Sequence, residues 1–216
     1  RIWDYFQNAG TDHGHLPAER QRFIAKRIKN SDVVLNIGVG RGHLERILSR
    51  RGVKVYSLDP SQRTIERLRS ELKMGDRAQA GYGQALPFSE KMFDVVVLAE
   101  VLEHLDDATV SGVLAEVYRV LKPGATTLIT TPYNENLAER VTVCPDCGKI
   151  FHRSGHVQSF SIERIEKIIK DHGFEIDKIY TSTFIDWRKR GVRSFIKSVI
   201  RYILARLGEQ IADPHI

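Results

Sequence analysis

The run Val33-Val-Leu-Asn-Ile-Gly38-Val-Gly40-Arg-Gly42-His43-Leu44 carries an apolar segment into three alternating glycines and then directly into a helical pattern. Such a segment demands a buried strand that turns sharply into a helix. The bare backbone of the turn lets a ligand lie against main-chain N–H groups. A dinucleotide loop reads Gly-x-Gly-x-x-Gly, and its third glycine allows close helix–strand packing. His43 occupies that slot here, so the spacing suits a nucleoside ligand without a pyrophosphate.

The remaining periodicities extend the same architecture. Phe23, Ile24 and Ile28 form an apolar stripe behind Pro17. Val53–Leu58 reads as a second strand closed by Asp59-Pro60, and Ser61 as the cap of a helix bearing Ile65, Leu68 and Leu72. A weak strand is expected near Ala78–Gly81 and a buried one at Phe93–Leu98. A helix carrying Val110 to Leu121 should stop at Lys122-Pro123-Gly124, with a fifth strand at Thr126–Thr130. A helix Ile162–His172, ended by Gly173, precedes a strand Phe174–Tyr180. Continuously apolar strands with crossover helices imply a parallel sheet covered on both faces. Ligands of such sheets sit beyond the carboxyl ends of the strands, where Gly38–Gly42 and Asp59 fall.

Composition narrows the class. With 216 residues, 42% hydrophobic and 28% charged, the chain fits one globular domain with room for an insertion. No apolar run reaches the roughly 20 residues of a membrane span. Two cysteines, Cys144 and Cys147, fit a reducing cytoplasm and a metal or redox pair better than a disulfide framework. A net charge of +6 is mild; it leaves nucleic acid or an anionic membrane open as a partner, and solubility alone could account for it.

Four segments agree in order and spacing. They are Val34-Leu-Asn-Ile-Gly-Val-Gly-Arg-Gly42, Leu58-Asp59, Leu86-Pro-Phe-Ser-Glu-Lys-Met-Phe-Asp-Val-Val-Val97 with Glu100-Val-Leu-Glu-His-Leu105, and Tyr118-Arg-Val-Leu-Lys-Pro-Gly124. Together, from about Phe23 to Ile179, they resemble the class I S-adenosylmethionine-dependent methyltransferases, type 11/12 group. The resemblance implies a Rossmann-like α/β fold with a seven-stranded, mostly parallel, doubly wound sheet. It implies S-adenosylmethionine as cofactor, with Gly38, Gly40 and Gly42 along its methionine half, Asp59 on both ribose hydroxyls and Leu86 near the adenine. Glu100 and His104 would face the methyl group or the acceptor, with His104 the candidate general base. The bare-residue readings are a turn carboxylate for Asp59 and a structural histidine for His104.

Two positions depart from the family pattern. Asn36 stands where Asp or Glu is usual, and Gly81-Tyr82 replaces Gly-Asp at the adenine site. Both are assigned to cofactor binding here, and both motivate an alternative reading as a non-catalytic, zinc-containing cofactor-binding module.

Residues 133–160 show no clear element and read as an insertion after the fifth strand. Within it, Cys144-Pro-Asp-Cys147 followed by His152 and His156 has the spacing of a structural, tetrahedral zinc site. An unliganded thiol pair is the bland alternative. His156 also begins His156-Val-Gln-Ser-Phe160, which in the resembled family brings a histidine to the active site.

The expected organisation is an N-terminal helical cap (1–30), a methyltransferase domain (31–187) containing the insertion, and a basic C-terminal helix (188–216). In that tail Ile196, Val199, Ile200, Ile203, Leu204 and Leu207 recur at helical spacing among Arg and Lys. It could pack on the domain or lie on an anionic membrane. The expected acceptor is a small or lipid-linked molecule methylated on oxygen or nitrogen, in a cytoplasmic or peripheral membrane protein. A nucleic-acid acceptor is disfavoured, since no basic stripe interleaved with aromatics appears.

Overall fold

The computed structural model describes residues 18–182 and residue 184. The tail from 188 and most of the N-terminal cap lie outside the described residues. Helix α1, Ala18–Ala25, leads into strand β1, Val33–Ile37. Helix α2 is His43–Arg50, β2 is Lys54–Asp59, α3 is Gln62–Leu72 and β3 is Ala78–Ala80. Then come β4, Phe93–Ala99, a 3-10 turn at Leu102–His104, α4, Asp107–Val120, and β5, Leu121–Thr130. A 3-10 turn at Leu137–Arg140, a β6–β7 hairpin (Val141–Val143 and Ile150–His152) and α5, Ile162–Asp171, complete the described elements.

The sheet has five strands in the order β3-β2-β1-β4-β5, every pair parallel. Strand order reverses between β1 and β4, so the crevice at their carboxyl ends is the topological switch point. Val34, Leu35, Val55, Val96, Val97 and Leu98 are wholly buried, as strands covered on both faces require. One core layer gathers Phe93, Leu114, Val117 and Phe160; the other gathers Ile24, Leu48, Ile65 and Leu68.

Local chemistry sets the helix starts. Ser61 Oγ accepts from Thr64 N at 3.2 Å, Asp106 caps α4 by accepting from Thr109 N, and Ser161 caps α5 through Arg164 N. The structure departs from the sequence expectation at the C-terminal side. Among the described residues the sheet has five strands rather than seven, and 174–180 is not a strand. β5 starts at Leu121, so Lys122-Pro123-Gly124 lies inside the strand; α4 ends one residue before it. The pairing register of β4 and β5 shifts between Phe93 and Val95, which absorbs the proline and glycine.

The insertion is ordered by hydrogen bonds back to the domain. Tyr133 bridges to Phe160, Asn134 N donates to Phe160 O at 2.9 Å, and Val157 N donates to Glu103 O at 2.9 Å. Its two ends are thereby pinned beside one another, and its last residues lie against the turn that follows β4.

Candidate active site

The glycine loop closes the carboxyl end of β1. Gly38, Gly40 and Gly42 have φ of +81°, +55° and +73°, a left-handed region that other residues rarely enter. A Cβ on Gly38 would stand 2.6 Å from Val101 Cγ2, so the turn after β4 packs directly on the loop. Gly42 then precedes α2, whose N-terminus has no side-chain cap.

Asp59, the last residue of β2, is 1% exposed. Its Oδ2 accepts from Val39 N, in the middle of the glycine loop, and its Oδ1 from Ser61 N, both at 2.9 Å. The turn role and the ligand role are therefore compatible. Each carboxylate oxygen carries a second lone pair, so backbone contacts do not exhaust the group.

Asn36 has a partner that sequence reading did not identify. Its Nδ2 donates to Glu45 Oε1 at 2.6 Å, and Ser57 Oγ donates to the same oxygen at 3.0 Å. All of these side chains are buried, and burial pushes the Glu45 carboxyl above the ordinary carboxylate range. An acid from the first turn of α2 thus stands beside Asn36, and an aspartate at 36 would repel it. Asn36 Oδ1 stays buried without a hydrogen-bond partner.

The other sequence-assigned positions divide. Leu86 is buried in the core, and its N–H donates to Glu116. Tyr82 is 65% exposed. Glu100 adopts φ +58° just beyond β4 and pairs with the buried Arg20 at 2.9 Å, while Thr130 Oγ1 donates to it. Its carboxylate is thus already turned toward α1 and β5.

Past Glu100, the turn Leu102–His104 meets the insertion. His104 Nδ1 lies 3.3 Å from Gly155 O, and the His104 and His156 rings stand 4.7 Å apart. Burial, then the neighbouring His156, lowers the His104 pKa to about 4, so the ring is neutral near pH 7. His156 Nδ1 is hydrogen-bonded to Glu135 Oε2. Its ring also stacks on His152, whose Nε2 is 3.5 Å from Glu135 Oε1. Burial acts to raise the Glu135 carboxyl, but the His156 hydrogen bond and nearby positive charge hold it below the ordinary range. Glu103 is 1% exposed, and burial followed by the nearby Glu100 charge pushes its carboxyl well up. Glu103 and Glu135 were not singled out from sequence.

The four residues read as a zinc set are not brought together. Cys144 and Cys147 sit at the tip of the β6–β7 hairpin, where Gly148 N donates to Cys144 O at 2.9 Å. His152 pairs with Val141, three residues before Cys144. At roughly 3.3 Å per residue that sets their backbones about 10 Å apart along the hairpin, and the His152 ring faces Glu135, with Nε2 3.5 Å from Oε1. The sequence spacing assumed a compact knuckle, whereas residues 150–152 extend as a strand. Backbone N–H groups of Cys147 and Asp146, then the Cys147 side chain, lower the Cys144 thiol pKa. Among the described residues, both groups of three metal-capable side chains contain His156 and neither contains a cysteine.

A methyltransferase-domain family model matches residues 10–179. The chain belongs to the methyltransferase-domain family. A Mycolicibacterium smegmatis protein named probable S-adenosylmethionine-dependent methyltransferase is 27% identical over 154 residues, covering 71% of this chain and 56% of its own. The sterol 24-C-methyltransferase of Saccharomyces cerevisiae is 28% identical over 172 residues, covering 74% of this chain and 44% of its own. The chain thus spans about half the length of these relatives. An S-adenosylmethionine-dependent methyltransferase from Archaeoglobus fulgidus superposes with a TM-score of 0.62 at 17% identity, covering 92% of this chain and 90% of that one. A Methanosarcina mazei structure gives 0.60 at 22% identity, covering 74% and 86%. The methyltransferase domain therefore has the class I, Rossmann-like architecture.

Proposed function

We propose that this chain transfers the methyl group of S-adenosylmethionine to an oxygen or nitrogen atom of a small or lipid-linked acceptor. The observation that carries this reading is the joining of Asp59 Oδ2 to Val39 N inside a loop of left-handed glycines at the switch point. The residues fit the donor. The loop brings left-handed glycine backbone beside β1, and Asp59 offers lone pairs to paired hydroxyls. Gly38, Gly40, Gly42 and Asp59 would hold it, with Glu100 beyond β4. When bound, S-adenosylmethionine supplies an electrophilic methyl on a sulfonium.

The chain's own task is to align the acceptor, exclude water and take up a proton. In the neutral ring, Nδ1–H of His104 toward Gly155 O, and Nδ1–H of His156 toward Glu135, each leave Nε2 as the nitrogen that carries the lone pair. An O–H or N–H acceptor has a proton to lose, and either Nε2 can receive it. The two imidazoles are the reason to favour oxygen or nitrogen over carbon. The basic, amphipathic sequence beyond Trp187 is the support for a lipid-linked acceptor and a peripheral membrane location. No described helix is long and apolar enough to cross a membrane.

The non-catalytic reading loses one of its supports, since Asn36 answers to Glu45 rather than marking a degraded loop. A structural zinc at the hairpin tip would rest on Cys144 and Cys147, and needs two more ligands than the hairpin places beside them. Calorimetry with S-adenosylhomocysteine, followed by transfer of labelled methyl into aqueous and lipid extracts, tests the proposal. Label recovered in an extract after product binding supports it. Absence of any binding by donor or product overturns it.

A further inference from the structure

The turn after β4 and the end of the insertion converge on a cluster that methyl transfer alone does not require. Glu103, His104 and His156 each offer a donor atom, and these atoms all lie within 4.8 Å of one another. Glu103 Oε1 is buried without a hydrogen-bond partner, 3.9 Å from His104 Nε2. A carboxylate oxygen withdrawn from water and left unsatisfied costs stability unless a cation or donor compensates it. The other Glu103 oxygen is already engaged by Thr131 Oγ1 at 3.3 Å.

The imidazoles are oriented as metal ligands are. A ligating histidine donates its second ring N–H to a carboxylate or a backbone carbonyl, which sets its tautomer. His104 has Gly155 O in that place, and His156 has Glu135. His152 is set the opposite way, because its Nδ1 accepts from His156 N at 3.2 Å and its Nε2 therefore carries the hydrogen. In that tautomer Nε2 of His152 has no lone pair for an ion and stands 3.5 Å from Glu135 Oε1 without a hydrogen bond, although His152 completes a second group with Glu135 and His156.

We propose that Glu103, His104 and His156 bind one divalent transition-metal ion. Two imidazoles and a carboxylate on one side, with further positions open, match the ligand preference of zinc, iron(II), manganese or cobalt rather than calcium or magnesium. Bonds of about 2.0–2.2 Å place ligand atoms about 3–3.5 Å apart, so the cluster closes by roughly an ångström on loading. His104 and His156 side chains are 16% and 10% exposed, which gives the ion a path from solvent. The open positions take an acceptor hydroxyl or a water. The metal then lowers the pKa of the bound oxygen, whose proton passes to bulk water, so that the imidazoles serve as ligands when the ion is present and as bases only in its absence. Metal binding itself does not depend on the methyl-transfer reading; its role toward the acceptor does.

The test uses the full chain, stripped with a chelator and titrated with Co²⁺ in a calorimeter and a visible spectrometer. Expected are one Co²⁺ per chain with ligand-field bands, displacement by Zn²⁺, and unchanged behaviour in the double variant Cys144→Ser/Cys147→Ser. His156→Ala, on a surface segment, and Glu103→Gln should each weaken Co²⁺ binding by about 100-fold or more. Their folding is checked by circular dichroism and by retained S-adenosylhomocysteine affinity. The proposal is overturned by no Co²⁺ binding, by binding lost with the cysteines, or by binding indifferent to His156→Ala in the folded protein. Failure of the methyl-transfer reading would appear separately, as no binding of S-adenosylhomocysteine.

Discussion

Glu135 holds His156 across 21 residues of chain, through a hydrogen bond from Nδ1 to Oε2. The same carboxylate lies 3.5 Å from His152 and 4.0 Å from Arg140, so one buried side chain organises both arms of the insertion. Replacing it by glutamine leaves a group that can present either its oxygen or its amide to His156. The tautomer is then no longer enforced. We expect Glu135→Gln to weaken Co²⁺ affinity by about 10- to 100-fold, the usual effect of losing an outer partner of a ligating histidine. Isothermal titration checks this, and an unchanged affinity would assign Glu135 to packing alone.

The elements around this pair show where sequence reading works. β1, β2 and β4 were readable because continuous apolar runs at strand length are characteristic of buried parallel strands. The glycine loop and Ser61 were readable because backbone conformation and capping restrict residue type locally. Glu135 had no such mark. It lies in Tyr133-Asn-Glu-Asn136, without periodicity, and acquires its role only when Phe160 returns to bridge Tyr133. Glu103 stood one residue before a histidine already under suspicion, but only its burial distinguishes it from a solvated acid. The zinc set failed for the opposite reason. Local spacing looked sufficient, yet the hairpin register draws cysteines and histidines apart.

Asp59 couples the second strand to the glycine loop and should dominate donor affinity. Asp59→Ala deletes two backbone acceptors and any pair of hydroxyl contacts at once. Hydrogen bonds to a charged group contribute about 1.5–3 kcal/mol each. We expect S-adenosylhomocysteine affinity to fall by at least about 100-fold by calorimetry, with Co²⁺ affinity nearly unchanged. A parallel loss of both would point to collapse of the loop rather than to removal of a contact.

Gly38 and Gly52 offer a matched comparison, since both have left-handed φ, +81° and +74°. A methyl at Gly52 meets nothing within 4 Å, whereas one at Gly38 meets Val101 at 2.6 Å. Gly52→Ala should therefore cost about 1 kcal/mol from backbone strain alone. Gly38→Ala adds an overpacking cost of about 1–3 kcal/mol and pushes the turn bearing His104 away from the loop. Denaturant melts of the two variants measure the difference. Equal destabilisation would show that Val101 moves aside at no cost.

Asn36 and Glu45 supply the pH test. The folded Glu45 carboxyl has its pKa raised above 4.5 by burial, opposed by hydrogen bonds from Asn36 and Ser57. The folded state thus binds its proton more tightly than the unfolded state does. The resulting stability is fully present below the unfolded value, and is lost as pH rises from about 4.5 through the raised folded value. Glu45→Gln keeps an oxygen for Asn36 Nδ2 and Ser57 Oγ but cannot ionise. Its unfolding free energy should lack this contribution to the decline above pH 4.5. Asn36→Asp does the reverse, setting a second carboxyl against Glu45, 2.6 Å from its oxygen in the present pair. We expect a loss of about 3 kcal/mol at pH 7, the scale of an uncompensated buried charge, shrinking at pH 5 as the pair takes up a shared proton. Urea titrations at the two pH values separate the cases. A penalty for Asn36→Asp that does not change between them would mean that water reaches the pair and screens it.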